Sequence, residues 1–317
     1  MKILALAPSR IGIIGGGTDI PSYYENYGGK VINMAINLRQ HMEIFIGEDL
    51  YGHNGQNIFP YKADPKLVYE IFTKYGLGSM HHVGIRSSFD GIIKAGLGSS
   101  GSASVCLIAA LQKMQEKSFN RYSIAEEAWD IEVNGVGWYG GKQDQYASAF
   151  GGLNLIEFGK NVSITPFSKE DAGNLQEWMM LFYTRGMRES KTIQSGFKQL
   201  TKEQKKALDQ IKKRVNVVEI WIRSDYIEGV GEILNEVWEF KKKLNKGVSN
   251  ARINAIYDYA LKHGAIGGKI LGAGGGGYMM FVCNPNKQEE LTKEMAKEGI
   301  EKIDFSPDFN GVEARIL

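Results

Sequence analysis

The segment Gly96-Leu97-Gly98-Ser99-Ser100-Gly101-Ser102-Ala103 concentrates the residue types that handle phosphate. Its glycines let backbone N–H groups approach a ligand closely. The residues after them open an apolar run whose pattern predicts a helix over 100–115. The first N–H groups of a helix lack partners and sit at the positive end of its dipole, a natural anion site. The serine hydroxyls add donors and an oxygen ligand for magnesium. The same segment fits the pattern G-x-G-x-x-G, but a dinucleotide fingerprint needs an acidic residue about 20 positions on, at the end of the next strand. That window, residues 115–121, reads here as a helix end with Asn120 and Arg121, and no βαβ unit surrounds it. A second glycine run, residues 272–277, lies between two strands and opens no helix, so alone it reads equally well as a tight turn. Neither a G-x-x-x-x-G-K-[ST] loop nor the H-R-D and D-F-G kinase signatures occur.

Around these loops the chain divides into a β-rich first half and a helix-rich second half. Strands are predicted at residues 3–7, 10–14, 31–36 and 41–46, broken by Gly, Pro and Asp. A helix over 65–75 follows from the spacing of Leu67, Val68, Ile71 and Phe72, with Gly76 as its stop. Ser123 is the expected N-cap of a helix over 124–134, and a short helix carries Asp144. Strands follow at 153–158 and 178–183, then segmented helices from Thr201 to His263. The glycine run is flanked by strands at 266–271 and 278–282, with a helix at 287–298 and a last strand at 311–316. This order predicts an α+β protein with a domain boundary near 159–171.

Composition excludes several classes. The 317 residues suffice for two domains with their own cores, and a net charge of +2 leaves no polybasic surface of the kind nucleic-acid binders need. No apolar run approaches the roughly 20 residues that span a bilayer, and the start lacks a signal-peptide core. Cys106 and Cys283, far apart in apolar surroundings, suggest neither a disulfide nor a zinc site. A cytoplasmic protein acting on a small molecule, with no nucleic-acid or membrane partner, is the expectation; oligomeric state is not legible.

Three separated motifs and a fourth segment agree with one family. Residues 8–19, Pro-Ser-Arg-Ile-Gly-Ile-Ile-Gly-Gly-Gly-Thr-Asp, resemble the first motif of the GHMP kinases. Residues 96–103 resemble their phosphate loop, and residues 269–277, Lys-Ile-Leu-Gly-Ala-Gly-Gly-Gly-Gly, their third motif. Residues 140–148, Gly-Gly-Lys-Gln-Asp-Gln-Tyr-Ala-Ser, resemble the segment bearing their catalytic aspartate. The resemblance spans nearly the whole chain. It implies an N-terminal domain of the ribosomal protein S5 domain 2 type (1–165) and a ferredoxin-like C-terminal domain (166–317), with the active site between them. Within the family the pattern is similar to the D-glycero-D-manno-heptose phosphate kinases. Gly16 and Gly17 stand where galactokinases carry Glu and His, which leaves room and removes polar contacts. Residues 92–94, Ile-Ile-Lys, replace a Pro-containing approach to the phosphate loop.

The resemblance implies ATP and magnesium as cofactors and transfer of the γ-phosphoryl group to the anomeric hydroxyl of a heptose 7-phosphate, feeding nucleotide-activated heptose and surface polysaccharide synthesis. Asp144 would be the base, with Arg10 beside it keeping it ionised and stabilising the moving phosphoryl group. A structural Arg–Asp pair is the plainer alternative. Gly96, Leu97, Gly98, Ser99, Ser100, Gly101 and Ser102 would bind the nucleotide, and Ser100 with Glu132 the metal. Glu132 shares its helix with Glu126, Glu127 and Asp130, so a solvated carboxylate is the competing reading. Gly17, Thr18, Asp19, Gly274 and Gly275 would face the sugar. Arg188, with Arg185 and Lys191, would hold its distal phosphate or form a solvated basic face. The function alternatives are a kinase for fucose, galactose or another sugar, and a catalytically silent ligand-binding homologue. The five histidines show no metal spacing.

Overall fold

The structure is a computed structural model and describes residues 1–46, 64–77, 83–185 and 196–317. Two strands organise the first half: β1 (Lys2–Ile14) and β2 (Gly29–Ile46) pair antiparallel along nearly their whole length. Each merges two of the strands expected from sequence, because a register shift at Pro8/Ser9 absorbs the proline that reads as a break. β2 is long enough to hold two neighbours on one edge. Its first part pairs β4 (Leu153–Phe158) and its last part pairs β3 (Val83–Phe89). β5 (Ser163–Pro166) and β10 (Glu313–Ile316) complete the sheet in the order β10-β1-β2-β4-β5. The expected second unit, 166–317, therefore needs one amendment: the end of the chain returns to the first sheet.

Helices α1 (Pro21–Tyr27), α2 (Pro65–Lys74), α3 (Ser99–Met114), α4 (Arg121–Asp130) and α5 (Gln143–Phe150) follow in that half. α3 is buried on all sides from Gly101 to Gln112, which is why its sequence carries apolar and small residues without a polar stripe. Its Val105, Leu107 and Ile108 pack with Ile3, Met42 and Ile44 of the sheet. α4 starts at Asn120, whose side chain accepts from the Ser123 N–H. The expected cap at Ser123 is thus displaced by three residues, because Asn120 captures the helix start earlier.

A capping box on Ser168 starts α6 (Lys169–Trp178), a helix the sequence reading left out. β6 (Met179–Tyr183), β7 (Ala265–Ile270), β8 (Tyr278–Cys283) and β9 (Glu301–Ile303) form an antiparallel sheet in the order β7-β8-β6-β9. Helices α7 (Lys202–Arg223), α8 (Ile227–Lys242), α9 (Ala251–Lys262) and α10 (Gln288–Lys297) accompany it. The two sheets do not have separate cores throughout. Ile11, Ile13 and Met34 of the first sheet share one apolar cluster with Leu208 and Val215 of α7 and Met280 of β8. Burial of this shared surface fixes the angle between the halves and so the width of the cleft where they meet. Cys106 and Cys283 are both buried and free.

Candidate active site

Four segments far apart in sequence meet at one cleft of about 310 Å³, lined among others by Arg10, Asp19, Gly98, Ser100, Asp144 and Gly274. Arg10 joins them. Its backbone N–H donates to Leu97 O (3.0 Å). Its guanidinium donates through Nη1 to Gly96 O at 2.6 Å, and through Nε (2.7 Å) and Nη2 (2.6 Å) to Asp144 Oδ1. Both contacts to Asp144 fall on one oxygen. Oδ2 makes no hydrogen bond among the described residues, and a Cβ placed on Gly98 would stand 3.1 Å from it. Asp144 lies in the first turn of α5, where the helix dipole favours a carboxylate. The site thus presents an anchored carboxylate with one oxygen open toward the glycine loop.

The loop glycines make room for this carboxylate. Gly98 caps α3 at φ +74, a left-handed conformation, and a Cβ on Gly101 would lie 2.8 Å from Asp144 Cβ. Gly96 abuts Gly272, so the phosphate loop and the second glycine run touch backbone to backbone. Ser99 and Ser100 line the cleft. Leu97 is fully buried in the core, and the fully buried Ser102 spends its hydroxyl on Ser99 O (3.2 Å). Neither side chain lines the cleft, so any contact of these two positions with a nucleotide falls to their backbone. The departure at residues 92–94 gives no strand: Lys94 takes φ 60, and its N–H donates to Ser99 Oγ (3.2 Å).

Glu132 sits on a π-helical turn, Ile131–Gly135, that continues α4 and buries this carboxylate while Glu126, Glu127 and Asp130 stay half-buried. It is 9% exposed, so the solvated-carboxylate reading fails. Burial, reinforced by repulsion from Asp144, pushes its pKa up to about 7, against hydrogen bonds from Ser104 and Gln145. The Ser104 hydroxyl stands between Glu132 Oε1 (2.5 Å) and Ser100 O (3.1 Å), and a proton on Glu132 lets both bonds form together. Gln145 lines the same wall with a buried Oε1 that has no partner. Among the described residues no group of three or more acidic, His or Cys side chains could hold a metal. Magnesium keeps waters and phosphate oxygens and takes one or two carboxylates, so Glu132 beside the phosphate loop fits it.

Asp19 is 2% exposed and accepts hydrogen bonds from Gly17 N (2.9 Å), Gln143 N (3.2 Å) and Gln143 Nε2 (3.1 Å). Burial raises its pKa, Asp144 adds to this, and the N–H donors oppose it. Gly141 is obligatory here, since a Cβ would fall 1.9 Å from Asp19 Oδ2. Thr18 is a correction. It is fully buried, and its hydroxyl is committed to Lys30 O (2.8 Å) and Lys30 N (3.0 Å), so it holds the turn and does not reach the cleft. Gly17 and Gly274 line the cleft, whereas Gly275 does not and gives its N–H to Val248 O (2.9 Å). Arg188 and Lys191 lie outside the described residues, and Arg185 is exposed at φ 53.

Three cations were not foreseen in these roles. Lys142 binds both carboxylate oxygens of Glu126 (2.9 and 2.6 Å) and stacks over Trp129, pinning the start of α5. Lys241 donates to Ile270 O (2.6 Å) and Gly272 O (2.9 Å), and burial lowers its pKa to about 7, with Arg10 adding repulsion. Lys269, on β7, lines the cleft beside it. Lys241 belongs to a Lys-Lys-Lys run that reads as a solvated face, and only tertiary packing singles it out.

This fold and site define a phosphotransferase in which a glycine-rich loop at a helix N-terminus faces an anchored aspartate. Comparison with known proteins agrees. The model of the GHMP kinase N-terminal domain matches residues 65–152, and that of the GHMP kinase C-terminal domain residues 224–301. D-glycero-alpha-D-manno-heptose 7-phosphate kinase of Campylobacter jejuni is 33% identical over 97% of both chains. Among solved structures, a D-glycero-D-manno-heptose 1-phosphate kinase from Bacteriodes thetaiotaomicron superposes with a TM-score of 0.78 at 26% identity, covering 99% of each chain. A sugar kinase from Campylobacter jejuni does so at 0.77 and 28%, covering 100% of this chain and 98% of the other. The chain belongs to the GHMP kinase family and has its two-domain fold; it is a kinase whose phosphate donor is ATP.

Proposed function

We propose that this protein is a magnesium-dependent kinase of a heptose phosphate, transferring the γ-phosphoryl group of ATP to the sugar's anomeric hydroxyl. The observation that carries the reading is the free Oδ2 of Asp144, opposite the N-terminus of α3 while Arg10 holds Oδ1. Asp144 Oδ2 accepts the hydroxyl proton as the O–P bond forms, and the bond between the γ-phosphorus and the bridging oxygen breaks, leaving ADP. The α3 N–H groups and Arg10 compensate charge on the transferring group. Glu132 and Ser100 would hold magnesium, which supplies charge neutralisation along the phosphates. Leu67, Phe89 and Trp138 line the cleft and offer an apolar wall to a nucleobase. The sugar would lie against Gly17, Asp19 and Gly274, and Arg188 is a candidate for the distal phosphate. Heptose phosphate as substrate is supported by the similarity to the heptose phosphate kinases and by Gly16 and Gly17, which leave room beside Asp19. A bisphosphate product suits nucleotide activation. Among the described residues no helix is long and apolar enough to cross a membrane, in keeping with a cytoplasmic enzyme. The test is ADP release across a panel of heptoses and hexoses with and without a distal phosphate. Turnover greatest on a heptose phosphate is expected; turnover greatest on fucose, galactose or another unphosphorylated sugar would overturn the substrate reading, and none on any sugar the enzymatic one.

A further inference from the structure

Lys269 is 5% exposed yet lines the cleft, and its ammonium makes no hydrogen bond or ion pair among the described residues. Burying a lone ammonium is costly, and a folded chain carries one only where something offsets it. Its electrostatic neighbours do not. Lys241 and Arg10 both repel it, and only Asp19 attracts it. Arg10 is compensated by Asp144, and Lys241 by two carbonyl oxygens, whereas Asp19 already accepts three hydrogen bonds. The cleft therefore holds one buried amine whose donors are unused, beside two groups that repel its charged form.

Resting on the heptose phosphate reading, we propose that Lys269 binds the distal phosphate of the sugar. A phosphate dianion supplies both the charge and the acceptor oxygens that the pocket lacks. Its attraction to Asp19, the residue that the proposed function sets against the sugar, favours the acceptor's phosphate over the nucleotide's. Burial and the two cations hold its pKa well below the ordinary lysine range in the unliganded protein, so phosphate binding draws a proton onto it.

The experiment compares the wild-type holoenzyme with Lys269→Met and Lys269→Arg. Lys269→Met should raise KM for the sugar phosphate by roughly 10- to 100-fold, the scale of one lost charge-assisted contact. Affinity for a non-hydrolysable ATP analogue should change less than about twofold, and Lys269→Arg should recover part of the loss. Calorimetry of sugar phosphate binding in buffers of different ionisation enthalpy should show proton uptake by the wild type and none by Lys269→Met. Thermal melting checks folding, and Lys269→Met should melt no lower than wild type because a buried amine without a partner is replaced by an apolar chain. Loss of nucleotide affinity with an unchanged sugar phosphate KM would move Lys269 to the donor side and overturn the proposal, as would no change in either. A wild type that prefers unphosphorylated sugars refutes the heptose phosphate reading itself. A wild type that prefers the phosphate while Lys269→Met is unaffected refutes only the role of Lys269.

Discussion

Replacing Gly98 by alanine probes the link between the phosphate loop and the base with a single methyl group. Gly98 sits at φ +74, where a side chain costs about 1–2 kcal/mol. The new Cβ would stand 3.0 Å from Asp144 Cγ and 3.1 Å from Oδ2, closer than such contacts normally come. Asp144 cannot retreat freely, because Arg10 grips its Oδ1 at 2.6 and 2.7 Å and is itself tied to Gly96 O. The carboxylate must shift by a few tenths of an ångström or the loop must open. A misplacement approaching 1 Å at reacting groups costs about 100-fold in rate, so Gly98→Ala should lower kcat by roughly 10- to 100-fold. The backbone strain should lower Tm by several degrees, at about 2–4 °C per kcal/mol for a domain of this size. The assay is steady-state ADP release with both substrates saturating, beside a melting curve. If Gly98→Ala melts a few degrees lower but turns over at the wild-type rate, the loop does not position Asp144, and its glycines serve backbone geometry alone.

Asp144→Asn should retain ATP binding but lose at least about 100-fold in turnover, the scale of a positioned proton acceptor; wild-type turnover would remove Asp144 from the mechanism. Glu132 gives a pH signature in metal-free protein. Its folded pKa of about 7 lies above the unfolded carboxylate value, so the folded state binds the proton more tightly. Its contribution to stability is fully present below about pH 4.5 and is lost as pH rises to about 7, by roughly 3 kcal/mol from 1.36 kcal/mol per unit. Glu132→Gln should therefore flatten that part of the stability profile in EDTA, read by urea unfolding at pH 5 and pH 8, and should raise the magnesium concentration needed for activity. A stability difference between the two proteins that is the same at both pH values would show that Glu132 is not held near neutrality.

Local chemistry in the sequence was enough for the phosphate loop, the helix behind it, Asp144 at a helix start and the α+β class. Each rests on short-range rules: glycine where φ is positive, a dipole at a helix end, apolar spacing. The strands were found but cut in two, because Pro8 reads as a stop and only the pairing of β1 with β2 shows that a bulge absorbs it. Thr18 was misread for a related reason. A Thr-Asp pair offers two polar side chains, and nothing local reveals that Lys30, twelve residues on, claims one of them. Lys241 was invisible as a site residue, and Lys269, which opens the third motif, was given no role. A lysine's role depends on whether water or protein surrounds its ammonium, and that is decided by the packing of α8 on β7 and of α7 against the first sheet. The same holds for Glu132, one acid among several on a helix, which a π-turn rotates away from solvent and into the cleft. Residue types thus determined which chemistry was available, and burial, a property of the whole fold, decided which charges perform it.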